Sequence, residues 1–86
     1  MAKYRLLIKP SAVKELEAIP GKRERRRLVE RISQLAEEPR PPGGEKLSGQ
    51  DKYRLRQRRY RILYEIKGQD LLVYVVKVGP RKDVYR

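Results

Sequence analysis

Cysteine, histidine, phenylalanine and tryptophan are all missing from this 86-residue sequence, and each absence excludes something. Without cysteine there is no disulfide framework, which suits a reducing compartment. Without histidine or cysteine a zinc site has no usual ligands, and no metal or other cofactor is expected. Without phenylalanine or tryptophan the core must be built from aliphatic side chains and the six tyrosines. No apolar run approaches the ~18 residues that cross a bilayer. The opening Met1-Ala2-Lys3-Tyr4-Arg5 has no apolar stretch of the kind a secretory signal carries. These absences predict a soluble, cytoplasmic protein with no membrane partner.

Acidic residues are also scarce. Eleven Asp and Glu stand against 23 Lys and Arg, a formal charge of +12. That balance favours polyanions or acidic proteins as partners and says little about fold. With 40% of residues charged, a disordered basic chain is the plain alternative. Apolar residues nevertheless recur with strand-like and helix-like periods along most of the chain, so a folded unit is expected. Its length suits one domain over residues 1–86 with one modest core.

Tyr4 to Lys9 reads as a short strand ended by Pro10. Ser11 is placed to cap a first helix, with Val13, Leu16 and Ile19 as its buried stripe and Pro20-Gly21 as its stop. A second helix is predicted from Lys22 to Glu37, with Leu28, Ile32 and Leu35, joined by Val29 and Ala36, on one side. The run from Glu38 to Gly44 breaks the helical pattern. Beyond it the period changes to two, and Lys52–Gln57, Tyr60–Ile66 and Leu71–Gly79 read as three strands of a meander. The predicted order is β-α-α-β-β-β, an α+β fold with a helical hairpin on one face of a mostly antiparallel sheet.

Register decides what the arginines do. Placing both apolar sets on the helix-covered face pairs Leu55 with Ile62 and Tyr53 with Tyr64. The same register sets Arg56 opposite Arg61 and Arg54 opposite Leu63, so Lys52, Arg54, Arg56 and Arg61 share the open face. Like charges directly opposite destabilise a sheet. Arg58-Arg59 is poor chemistry for a tight hairpin turn, and a longer, bulged loop would shift this register by one. From the charge pattern alone, a solvated face and an anion site both remain open. The arginines of the second helix read as a solvated or partner-contacting face. Tyr53, Tyr60, Tyr64 and Tyr74 read as core and strand formers.

Several short segments carry a resemblance. Lys46-Leu47-Ser48-Gly49, Tyr53-Arg54-Leu55-Arg56, Tyr60 to Ile66, Val78-Gly79-Pro80-Arg81 and the closing Val84-Tyr85 together resemble the RelE/ParE superfamily of toxins. The first half follows the family's order of strand, helical hairpin and proline-rich loop, so the likeness covers nearly the whole chain. The resemblance implies a toxin of a type II toxin–antitoxin pair. In its RelE branch it implies a ribosome-dependent endoribonuclease that cleaves mRNA in the A site. It also implies a RelB-like antitoxin as partner, with operator DNA contacted only through the toxin–antitoxin complex. By position, Arg54, Arg56, Arg61, Arg81 and Tyr85 match the family's catalytic residues, which favours the RelE branch over ParE-like gyrase poisons. Lys46, Lys52, Arg58, Arg59 and Lys82 flank them as candidate RNA-binding residues. Arginine stands at 54 and 56 where the best-known member type has lysine, Pro80 stands where many relatives have histidine, and Arg59 replaces a frequent turn glycine.

The residues support a metal-free mechanism in which RNA supplies its own 2′-hydroxyl nucleophile. Arg54, Arg56, Arg61 and Arg81 would hold the phosphate and stabilise its developing charge. Guanidinium stays protonated, so none of them can accept a proton. That role falls to Tyr85, whose ionisation neighbouring arginines would favour. A 2′,3′-cyclic phosphate product is expected. Two other readings stand beside this one: a ParE-like toxin acting on DNA gyrase, and a non-catalytic nucleic-acid-binding module.

Overall fold

The computed structural model describes residues 3–47 and 51–80. Its elements are β1 (Arg5–Ile8), α1 (Pro10–Glu17), α2 (Lys22–Gln34), β2 (Gly44–Lys46), β3 (Lys52–Gln57), β4 (Tyr60–Lys67), a 3₁₀ turn (Gly68–Asp70) and β5 (Leu72–Pro80). The strands form one sheet in the order β1-β5-β4-β3-β2. β1 runs parallel to β5 and every other pair is antiparallel. Both helices pack on one face, as the α+β reading expects. The core between them joins Ala12, Leu16, Ile19, Leu28, Ile32 and Leu35 to the inward side chains of β3, β4 and β5.

The helices differ from expectation in detail. Pro10, not a residue after Ser11, opens α1; Lys9 is its N-cap and no side chain caps it. Proline suits the first helical position because its missing N–H would have no partner there. The buried stripe of α1 is Ala12, Leu16 and Ile19, at i, i+4, i+7, while Val13 is 38% exposed. In α2 the stripe is Leu28, Ile32 and Leu35, and Val29 is 46% exposed. Val13 and Val29 each lie one residue past a buried position, about 100° around the helix. α2 also ends at Gln34 rather than Glu37.

The sheet carries one strand more than predicted. Pro41 to Gly44 form a β-turn in which the Gly44 N–H donates to Pro41 O at 2.9 Å. Gly43 sits third in that turn with φ +89°, the position of a type II turn that demands glycine after proline. The turn delivers Gly44–Lys46 as an edge strand on β3, so the order is β-α-α-β-β-β-β. Three residues are too few for alternation to be visible in a sequence.

Two side chains tie this edge and the opposite one to the core. Tyr64, fully buried, donates its hydroxyl to Pro39 O at 2.7 Å and stacks on Tyr53 with ring centroids 5.6 Å apart. Past Ile8, the β1-side edge of β5 has no neighbouring strand among the described residues, and Glu15 of α1 covers the gap. Its carboxylate accepts from the Val78 N–H at 3.0 Å and from Lys77 Nζ at 2.9 Å. An extra residue, Val76, sits between the Leu63–Lys77 and Tyr64–Val75 pairs. This bulge shifts the buried phase of β5 from Val73 and Val75 to Val78.

Burial pushes the Tyr64 hydroxyl up to about 12, from an ordinary 10.0. A folded-state pKa above the unfolded one means that the neutral phenol stabilises the fold. Its contribution is complete below pH ~10 and is lost as pH rises toward ~12. Tyr64→Phe, which leaves Pro39 O without its donor, is expected to cost about 1–2 kcal/mol and to remove this alkaline loss. Urea unfolding of both proteins between pH 8 and 12 measures it; equal stability at every pH would contradict the assignment.

Candidate functional site

The register of β3 on β4 follows the core pairs: Leu55 opposite Ile62 and Tyr53 opposite Tyr64. A two-residue turn, Arg58-Arg59, closes the hairpin between Gln57 and Tyr60, so the shift that a longer loop would cause does not occur. Arg58 adopts φ 56°, the only positive φ in the turn, as the first central residue of a type II′ turn does. Arg56 therefore stands directly across from Arg61, and Arg54 across from Leu63, on the face away from the helices.

The four basic residues expected on that face differ in depth. Lys52 is exposed at the far end, opposite Glu65. The Arg56 and Arg54 side chains are 47% and 12% exposed. Arg61 is 1% exposed, which corrects the expectation of an open position. It lies on the central strand between Arg56 on β3 and Gly79 on β5, and Gly79 has no side chain to fill the space beside it. Removing a guanidinium from water costs several kcal/mol before pairing offsets it, so a fold held only by packing would not place arginine there.

β2 adds a residue that the sequence reading passed over. Glu45 pairs in register with Arg54, and its carboxylate forms an ion pair with the Arg54 guanidinium. Its other oxygen lies 4.0 Å from Arg56. The hydrogen bond and charge of Arg54 hold the Glu45 carboxyl below its ordinary range, with Arg56 and Arg61 adding to the effect. Three guanidinium fields thus converge on one small anion. The signal available in the sequence was the Pro-Gly turn, which starts a strand at Gly44 and sets Glu45 on the face of Arg54.

The flanking candidates disperse. Lys46 pairs with Tyr53 and so belongs to the opposite face, beside a cleft lined by Arg40, Asp51, Tyr53 and Lys67. Arg58 and Arg59 line a cleft with Arg23, Glu24 and Arg27 of α2. Arg81, Lys82 and Tyr85 lie outside the described residues, as do Ser48 and Gly49 of the first motif. Among the described residues no three or more His, Cys, Asp or Glu gather to hold a metal ion, and no helix is long and apolar enough to cross a membrane.

The comparisons with known proteins identify the fold. The family model for the ParE toxin of type II toxin–antitoxin systems, parDE, matches residues 6–85. Solved structures agree. The archaeal RelE–RelB complex of Pyrococcus horikoshii contains a chain 33% identical, with a TM-score of 0.82, covering 94% of this chain and 98% of that one. The intact E. coli RelBE complex gives 30% identity and a TM-score of 0.76, covering 90% and 95%. The RelBE2 complex of Mycobacterium tuberculosis gives 26% and 0.79, covering 92% and 99%. No curated protein matches the chain. The chain belongs to the RelE/ParE superfamily, as a toxin of a type II toxin–antitoxin system.

Arg61→Lys keeps the charge but loses the planar fork with its five donors. Toxicity on induction is expected to fall by about 10²-fold or more, the effect of losing one preorganised donor, with circular dichroism used to confirm that the variant is folded. Full toxicity in this variant would show that Arg61 only fills space.

Proposed function

We propose that the toxin is a metal-independent, ribosome-dependent endoribonuclease that cleaves mRNA in the A site by 2′-hydroxyl attack on the adjacent phosphate. The observation that carries the reading is the Glu45 carboxylate set between Arg54 and Arg56. It stands where two oxygens of a phosphate would be held. Arg54 and Arg56 clamp the scissile phosphate. Arg61, immobilised by burial, stabilises charge on its oxygens without reorganising. By their match to the family, Tyr85 would take the 2′ proton as the 2′-oxygen–phosphorus bond forms, and the P–O5′ bond breaks as the leaving 5′-oxygen, its charge offset by the Arg81 guanidinium, takes a proton from water. The likeness to RelE chains of 30% identity or more supports the same branch.

Glu45 introduces a second proton acceptor beside Tyr85. Its arginine neighbours keep it ionised well into acid, which makes it available but weakly basic. An ordinary phenol ionises near ~10, which makes Tyr85 the stronger base and the rarer one at neutral pH. Tyr85 as base predicts a cleavage rate that climbs through neutral pH and vanishes in Tyr85→Phe. Glu45 as base predicts a rate flat through neutral pH that vanishes in Glu45→Gln. Either way, RNA with a 2′-deoxy sugar at the scissile position is not cut; its cleavage would overturn the mechanism.

The matching ParE family description favours a second reading, a non-nuclease toxin that inhibits DNA gyrase. Intact mRNA in poisoned cells, with supercoiling blocked, would support it. On either reading the partner is an acidic antitoxin, through which alone the toxin meets operator DNA. The groove between α1 and α2 offers such a segment Ile8, Val13, Leu16 and Val29 as apolar floor, with Lys22, Arg25 and Arg26 on its rim. Val29→Glu is expected to weaken antitoxin binding about tenfold or more and to leave toxicity intact. Calorimetry of the purified pair measures the first effect; unchanged affinity would place the antitoxin elsewhere.

A further inference from the structure

The second strongly basic region of the molecule lies beyond the β3–β4 turn. Arg23 and Arg27 stand one turn apart on α2, and Arg58 and Arg59 form the hairpin tip. Together they line a cleft of about 540 Å³ in which Glu24 is the single acid. Glu24 reaches Arg59 at 3.8 Å, and the Arg59 side chain is 77% exposed, so this contact neutralises little. The tip rests on α2, where Arg27, Leu28, Arg58 and Tyr60 line a smaller recess.

Three local choices here work against stability. Arg23 and Arg27 repel at i, i+4. Arg58 holds a positive φ that glycine would adopt freely. Two adjacent arginines fill a turn that favours asparagine and glycine. Local rules broken together at one place mark a site under functional demand.

We infer that this cleft is a second phosphate-binding site, which holds the backbone of the RNA strand whose scissile phosphate lies at Arg54, Arg56 and Arg61. The inference rests on the proposed RNA substrate but concerns different residues. Arg56 lies at the end of β3, two residues before Arg58 of the turn. The tip therefore links the arginines of one sheet face to those of α2. The chemistry of the cleft favours nucleic acid over a protein segment. Its lining of four arginines and one glutamate gives no apolar anchor for a peptide, and the guanidinium fork matches phosphate oxygens. Phosphate contacts of this kind set orientation and affinity without reading sequence.

The test uses a short single-stranded RNA made uncleavable by a 2′-deoxy substitution, with polyglutamate as a second anionic probe. Binding of each is measured at several salt concentrations. Arg23→Ala with Arg27→Ala places good helix formers at partly or fully exposed positions of α2. A second variant, Arg58→Gly with Arg59→Asn, relieves the strained turn. Each is expected to weaken RNA binding roughly tenfold and to flatten the salt dependence by about 1.4, the slope of two released phosphate contacts on a single strand. Weakened binding both in these variants and in Arg54→Ala with Arg56→Ala upholds the inference; weakening in the cleft variants alone overturns the strand shared with the sheet face and, with it, the sheet-face reading. RNA affinity unchanged in both cleft variants overturns the inference. So does a loss confined to polyglutamate, which would assign the cleft to an acidic protein.

Discussion

Arg56 and Arg61 face each other across adjacent strands because the other side of the same strands leaves no choice. Leu55 must meet Ile62 and Tyr53 must meet Tyr64 for the core to close, and a one-residue slip would turn the apolar pair of one strand outward. The two-residue turn fixes that register, although it requires Arg58 to hold a positive φ. Packing energy on one face thus imposes a concentration of like charge on the other. Residues that a sheet would ordinarily separate are held close enough to act on one anion.

The rest of the structure makes that concentration tolerable. β2 is brought in by a proline–glycine turn, and the preceding Pro39 is pinned by the buried Tyr64 hydroxyl. The same tyrosine therefore serves the core and fixes the edge strand that carries Glu45. Glu45 in turn supplies the negative charge that Arg54 and Arg56 share. Arg61, deepest of the three, owes its place to the central strand and to the glycine beside it. On the proposed function, the Glu45 carboxylate is what an incoming phosphate would displace.

Much of this was legible in the sequence because alternation over six to nine residues fixes both a strand and its faces. Lys52–Gln57 and Tyr60–Ile66 show that alternation, and their predicted pairing is the one observed. The arginine face followed from it. What escaped depended on contacts between distant segments. β2 is too short to show a period, so Glu45 went unassigned. The burial of Arg61 depends on the bulged β4–β5 register, which sets Gly79 opposite it. Val13 and Val29 have the composition of core residues, but only the packed hairpin shows that they line a groove. The helix arginines look like a solvated face until the β3–β4 tip is seen to rest against two of them.

The family contains one description that speaks of ParE and solved relatives that are RelE, and the arginine face is where the two readings part. Its proposed purpose is chemistry on RNA, so the chemical form of the product is the direct witness. Programmed ribosomes incubated with the purified toxin should yield mRNA fragments ending in a 2′,3′-cyclic phosphate, seen by mass spectrometry, and none with Arg54→Ala and Arg61→Ala combined. Fragments ending in a 3′-hydroxyl, or intact mRNA alongside inhibited gyrase, would contradict the account.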